Sequence, residues 1–170
     1  MYIIKLSKKH AVDYWNLRLQ ALQQNPEAFL STYEDAKSKV NPVQETADRL
    51  TNLNNYTYGA FIQDQLVGIV TMLRRPQQKF NHKADILAMY VSKNARMQGI
   101  GKKLLHMALS DAKAIGLEQL QLSVVSNNYP AKKLYEQIGF TTYGVEKEAI
   151  KFNNTYLDEN LMQLFVQEFI

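Results

Sequence analysis

The sequence predicts one mixed α/β or α+β domain with a strand–helix–strand crossover at its centre. Three observations carry this. Apolar residues recur at helical spacing in some segments and alternate at period two in others, and the two kinds interleave along the chain. The strongest helical stripe, residues 99–115, lies between two strand-like runs, as a crossover requires. At 170 residues, with no internal repeat, low-complexity tract or linker, the chain suits a single domain over 1–170 with a proper core.

Taken in order, Tyr2–Leu6 (YIIKL) is β-branched and short, a strand. Ser7 is placed to cap a helix over Lys8–Gln24, in which Ala11, Trp15, Leu19 and Leu22 share a face and Asn25-Pro26 ends the run. Asn41-Pro42 reads as an N-cap and first-turn proline for a second helix ending near Leu53. Tyr56–Gln63 and Leu66–Leu73 flank Asp64-Gln65 as the arms of a hairpin. Ala84–Val91 is the next strand, after a polar loop containing Phe80–Lys83. Ile100, Leu104, Ala108, Ala112 and Ile115 then form one helical stripe, closed by Gly116. Gln119–Val125 alternates as a strand with one buried face. Ala131, Leu134, Tyr135 and Ile138 repeat as a helix stopped by Gly139. The tail, Thr141–Ile170, reads as two strands joined near Asn153-Asn154.

Composition excludes several classes of function. The net charge is +4, but the basic residues are scattered and form no block of five, so a nucleic-acid partner is not expected. Apolar runs are short and broken by Lys, Gln or Asp, too short for a membrane span. The first ten residues hold four apolar residues after Met1, too few for a signal-peptide core, so the expected location is cytoplasmic. With no cysteine there is no disulfide, thiolate nucleophile or cysteine-type zinc site. His10, His82 and His106 show no ligand spacing, and no metal is expected.

The stretch that promises chemistry is Arg96-Met97-Gln98-Gly99-Ile100-Gly101, between a strand and a strong helix. Glycines there let backbone approach a ligand, and the first N–H groups of the helix point outward unpaired, which suits a phosphate or pyrophosphate. A Rossmann loop would need glycine where Leu104 stands; a Walker loop would need glycine at Arg96 and Ser or Thr at Lys103.

The spacing Arg-x-x-Gly-x-Gly resembles instead the acetyl-CoA signature of the GNAT N-acetyltransferase superfamily. Asn128–Phe140 (NYPAKKLYEQIGF) resembles that family's second motif, Ile86–Gly101 its central strand and loop, Leu17–Asp35 its first helical segments and Asn154–Met162 its final strand pair. The resemblance implies the GNAT acyl-CoA N-acyltransferase fold, an α+β arrangement of a central mixed, mostly antiparallel twisted sheet of about seven strands flanked by four helices. It implies transfer of acetyl from acetyl-CoA to a primary amine of a small molecule or peptide, directly in a ternary complex. The alternative is a non-catalytic acyl-CoA-binding or sensor module, and either would be a monomer or homodimer.

By the same resemblance, acetyl-CoA would lie in a V-shaped opening between Ala84–Val91 and Gln119–Val125, against the backbone of a bulge at Met89, Tyr90 and Val91. Arg96, Met97, Gln98, Gly99, Ile100, Gly101 and Lys102 would hold the pyrophosphate. Asn128 would contact the pantetheine or cap the following helix. Tyr135 would stand near the thioester sulfur and protonate the leaving thiolate. Asp85 falls where some members carry a catalytic glutamate, and its strand face, shared with Leu87 and Met89, suggests an apolar setting for a general base. Phe29 and Tyr33, the Phe80–Lys83 loop and the final strand pair would wall the acceptor. Those segments hold few carboxylates, which favours a neutral-to-acidic amine over a polyamine, with Asp158 and Glu159 as the features pulling the other way.

Overall fold

The strands are β1 (Tyr2–Lys5), β2 (Asn55–Ile62), β3 (Gln65–Arg74), β4 (Lys83–Val91), β5 (Gln119–Val125), β6 (Thr141–Phe152) and β7 (Thr155–Phe165). In the computed structural model, which describes residues 1–168, they form one sheet in the order β1-β2-β3-β4-β5-β7-β6. Every neighbouring pair is antiparallel except β4 and β5, which run parallel. A parallel pair needs a crossover, and α4 (Ile100–Ala114) supplies it.

The other helices are α1 (Ala11–Gln24), α2 (Tyr33–Lys37), α3 (Pro42–Thr51) and α5 (Tyr129–Ile138). A 3-10 turn over Lys8–His10 precedes α1. There are therefore five helices rather than four among the described residues. The short α2 lies beyond the helices that apolar periodicity marks in the sequence. A reciprocal cap forms it: the Asp35 N–H donates to Thr32 Oγ1 at 3.0 Å, and the Thr32 N–H donates to the Asp35 carboxylate at 3.3 Å.

Two cores sit on opposite faces of the sheet. On one, the α4 stripe of Ile100, Leu104, Leu105, Ala108, Leu109 and Ala112 shares one core with Val70, Met72, Ile86, Leu120, Leu122 and Met162. On the other, Tyr14, Leu17 and Ala21 of α1 and Leu50 of α3 cover Phe61, Leu66, Ile69 and Tyr90. Alternation along β3 sends Ile69 to one core and Val70 to the other. Each fully buried Leu or Ile contributes about 1.5–3 kcal/mol, so both faces of β3 hold the domain together.

The hairpin turn lies one residue earlier than the sequence suggests: Gln63 and Asp64, at φ 48° and 60°, are its central residues. Asn153 and Asn154, at φ 47° and 59°, make the turn between β6 and β7 as expected. The final strand ends at Phe165 and gives way to a 3-10 turn over Val166–Glu168. The rest of the tail predicted to reach Ile170 lies outside the described residues. Among the described residues, no helix is long and apolar enough to cross a membrane.

Candidate functional site

β4 and β5 pair over only three positions, Lys83–Asp85 against Gln119–Gln121, and then part. The cause is in β4. Ile69 of β3 faces Tyr90 and Thr71 faces Leu87, so the single residue Val70 spans both Ala88 and Met89. Ala88 takes a left-handed φ of 53°, a conformation that costs an L-residue about 1–2 kcal/mol. The irregularity thus falls at Ala88-Met89, slightly before the expected Met89-Tyr90-Val91, and Tyr90 and Val91 are back in register with Ile69 and Gly68. Beyond Asp85 the edge of β4 that faces β5 has no strand partner among the described residues, so its backbone groups are open to a guest.

The loop after β4 carries that opening to a helix terminus. Met97 and Gly99 both adopt left-handed geometry, at φ 63° and 72°, and Gly99 is the N-cap of α4. Its carbonyl accepts from the Lys103 N–H at 3.1 Å, and no N-cap side chain covers the N–H groups of the first turn. The two glycines serve different ends. A Cβ on Gly99 would stand in open space, whereas one on Gly101 would come within 3.0 Å of both Leu134 of α5 and Met89 of the bulge. Gly101 therefore lets α4, α5 and the bulge meet at one point.

Ile100 points into the core, while Gln98 and Lys102 are both exposed. Arg96 is not free to reach a phosphate: its Nε donates to the Val91 carbonyl at 3.0 Å and its Nη2 to Asn25 Oδ1 at 2.8 Å. Its work in this structure is to tie the loop to β4 and to the end of α1. Asn128 accepts from the Ala131 N–H at 3.3 Å and caps α5.

Tyr135 stands on α5 beside Leu134, so the Gly101 contact brings its helical turn to the bulge. The ring is 7% exposed and meets Phe140 edge-on at 5.9 Å. Burial pushes its phenol above the ordinary tyrosine range, so it holds its proton through neutral pH.

Asp85 departs from expectation. Its setting is not apolar: Arg75 grips both carboxylate oxygens, Nε at 3.0 Å and Nη2 at 2.6 Å, and the same Nη2 reaches Gln121 Oε1 at 2.9 Å. A planar guanidinium fork is built for that bidentate hold. Both oxygens are committed, which argues against a part in proton transfer.

Of the two acids of β7, Asp158 and Glu159, the second is the one drawn into the sheet. It pairs with Val125 on β5 and Glu146 on β6. Partial burial raises its carboxyl above the usual range, a hydrogen bond from Ser123 opposes this, and the Glu146 charge adds to it. Asp158 is held outward by Lys147 at 2.8 Å and the Glu148 N–H at 2.9 Å.

Phe29 packs on the α1 side of β4: its ring meets Tyr90 at 6.5 Å, and Tyr90 donates to Gln24 Oε1 at 2.9 Å. Tyr33, at the start of α2, lies instead under the Lys37 ammonium. Phe80 is half-exposed in its loop. Arg75 carried no sequence signal, because only the β3–β4 register brings it to Asp85. Among the described residues, no three His, Asp or Glu side chains gather as a metal would need.

Residues 12–161 match the family described as an acetyltransferase (GNAT) domain. The chain belongs to the GNAT acetyltransferase family. Streptothricin acetyltransferase of Escherichia coli is 31% identical over 105 residues, which is 62% of this chain and 58% of that protein. GCN5-related N-acetyltransferase 6 of Arabidopsis thaliana is 35% identical over 48% of this chain and 28% of its own length, so these relatives are matched over only part of themselves. Among solved structures, yncA of Salmonella typhimurium, solved with its cofactor acetyl-CoA, superposes with TM-score 0.84 at 19% identity, covering 100% of this chain and 96% of that one. A probable acetyltransferase from Staphylococcus epidermidis gives 0.79 at 25% identity, over 96% and 98%. These neighbours establish the GNAT fold, with its seven-stranded, mostly antiparallel sheet.

Proposed function

We propose that this GNAT domain is an N-acetyltransferase that moves acetyl from acetyl-CoA to a primary amine of a small molecule or peptide, by direct transfer within a ternary complex. The observation that carries the reading is the parted β4–β5 pair opening toward the uncapped start of α4, with Gly99 leaving free space above it. Its exposed strand edge and unpaired helix N–H groups fit an extended amide chain ending in phosphates. Bound acetyl-CoA would supply the acetyl group as an activated thioester.

The backbone of Met89, Tyr90 and Val91 would line the arm, and the N–H groups from Met97 to Lys102 would hold the phosphates, with Arg96 fixing their loop. Tyr135, which keeps its proton, would donate it toward the leaving sulfur. Phe29 would face the acceptor. For the acceptor's proton, Glu159 is better suited than Asp85, because it lies beside the part of β5 that has left β4 and Asp85 is gripped by a guanidinium.

Acetyl-CoA should raise Tm, since a ligand that binds only the folded state stabilises it. Coenzyme A release with a panel of amines should follow. No rise in Tm with acetyl-CoA overturns the assignment, and a rise without turnover on any amine leaves a binding module rather than an enzyme.

Glu159 also gives a pH test of stability. Its folded pKa is raised, so its favourable contribution is complete below the unfolded value and is lost as pH rises through the folded one. Glu159→Gln should therefore melt slightly higher than the parent at pH 7, by less than about 2 °C, and no higher at pH 4. Its kcat/KM should fall at pH 7. A variant that melts lower than the parent at pH 7 but not at pH 4 would show that the ionised carboxylate is welcome where it stands.

A further inference from the structure

A cavity of about 280 Å³ lies between α1, α2 and α3, lined by Trp15, Arg18, Thr46 and Arg49 among others. Arg18 lies 4.5 Å over the Phe29 ring, and Arg49 4.9 Å over that of Tyr14. Aromatic faces support a guanidinium but do not neutralise it. Among the described residues no carboxylate pairs with either arginine. The two acids on the cavity wall are engaged elsewhere, Asp35 by the Thr32 N–H and Glu45 by Lys39. Burial lowers the Arg18 guanidinium from its ordinary range, Tyr14 opposes this, and the like charge of Arg49 adds to it. A half-buried cation without a counter-charge is costly, and a planar fork is the shape that fits an oxyanion.

We propose that this cavity is an oxyanion site that takes a carboxylate or phosphate group. The Phe29 ring meets both Arg18 and Tyr90, which links the site to β4, the strand that borders the opening. Resting on the acetyl-transfer reading, the natural source is an anionic group on the acceptor, in keeping with an acceptor that is not a polyamine.

The test is thermal melting in inorganic phosphate or succinate against sodium chloride at equal ionic strength, for the parent and Arg18→Met. Both anions should raise the parent's Tm, by about 4 °C near saturation, and Arg18→Met should lose most of that rise. A phosphate-only response assigns the site to free phosphate, and a succinate response to a carboxylate of the acceptor. Without either anion Arg18→Met should melt above the parent, because it removes an unpaired charge. Phosphate also suits the α4 terminus, so the difference between parent and variant is the readout. The acetyl-CoA shift should persist in Arg18→Met, which separates failure of this site from failure of the transfer reading. If Arg18→Met does not fold, Arg49→Gln should show the same partial loss. No rise above chloride in the parent, or an equal rise in the folded variants, overturns the proposal.

Discussion

Gly99→Val should abolish the rise in Tm given by acetyl-CoA while leaving a folded protein. Gly99 sits at φ 72°, where a β-branched residue is strained, so the variant loses about 1–2 kcal/mol and melts a few degrees lower. Its Cβ meets nothing within 4 Å, so the core is not disturbed. The new side chain stands over the first N–H groups of α4, where phosphates would otherwise rest. Gly101→Val is the contrasting control. A Cβ there stands 3.0 Å from Leu134 and Met89, which must give way to valine's further atoms, so its cost falls on the packing of α4 against α5 and appears without any ligand. Scanning calorimetry of both variants with and without acetyl-CoA checks this. A full acetyl-CoA shift retained in Gly99→Val removes the α4 terminus from the binding site.

Tyr135→Phe should lower kcat by about 10²-fold, with little change in the affinity for acetyl-CoA. The ring stays, and with it the edge-on contact to Phe140, so neither fold nor cleft should alter. What is lost is one proton donor, held in its neutral form by burial. Because that phenol does not ionise near neutral pH, the parent's kcat should show no alkaline fall that the Tyr135→Phe substitution removes. Single-turnover measurements isolate the chemical step. An unchanged single-turnover rate would return Tyr135 to a purely structural role.

Much of the fold was legible because its signals are local. Ser7, Pro42, Gly116 and Gly139 mark helix ends, the Ile100–Ile115 stripe marks the crossover, and Asn153-Asn154 marks a turn. The start of α4 was legible for the same reason, since its glycines sit next to the helix they serve. What escaped depends on register or on distant partners. The bulge at Ala88 has no glycine to announce it, so an ordinary alanine hides a left-handed backbone. Asp85 read as apolar from its strand neighbours, but its true neighbour is Arg75, ten residues away across a loop. The short α2 shows no periodicity of its own in five residues, so only the likeness of Leu17–Asp35 to the family's helical segments and the capping pattern Thr32-x-x-Asp35 pointed to it. Arg18 and Arg49 belong to separate helices, and nothing in either helix alone points to the other.

The seam between β4 and β5 has one more consequence, a mechanical one. Among the described residues, only three rungs, at Lys83–Asp85, join the four-stranded half of the sheet to the three-stranded half. The sheet is thus a plate slit along most of β4, and the core that α4 shares with strands of both halves is what resists bending at the slit. Anything lodged there acts as a splint: it stiffens the plate without touching its outer strands, and its departure returns the two halves to their short common hinge.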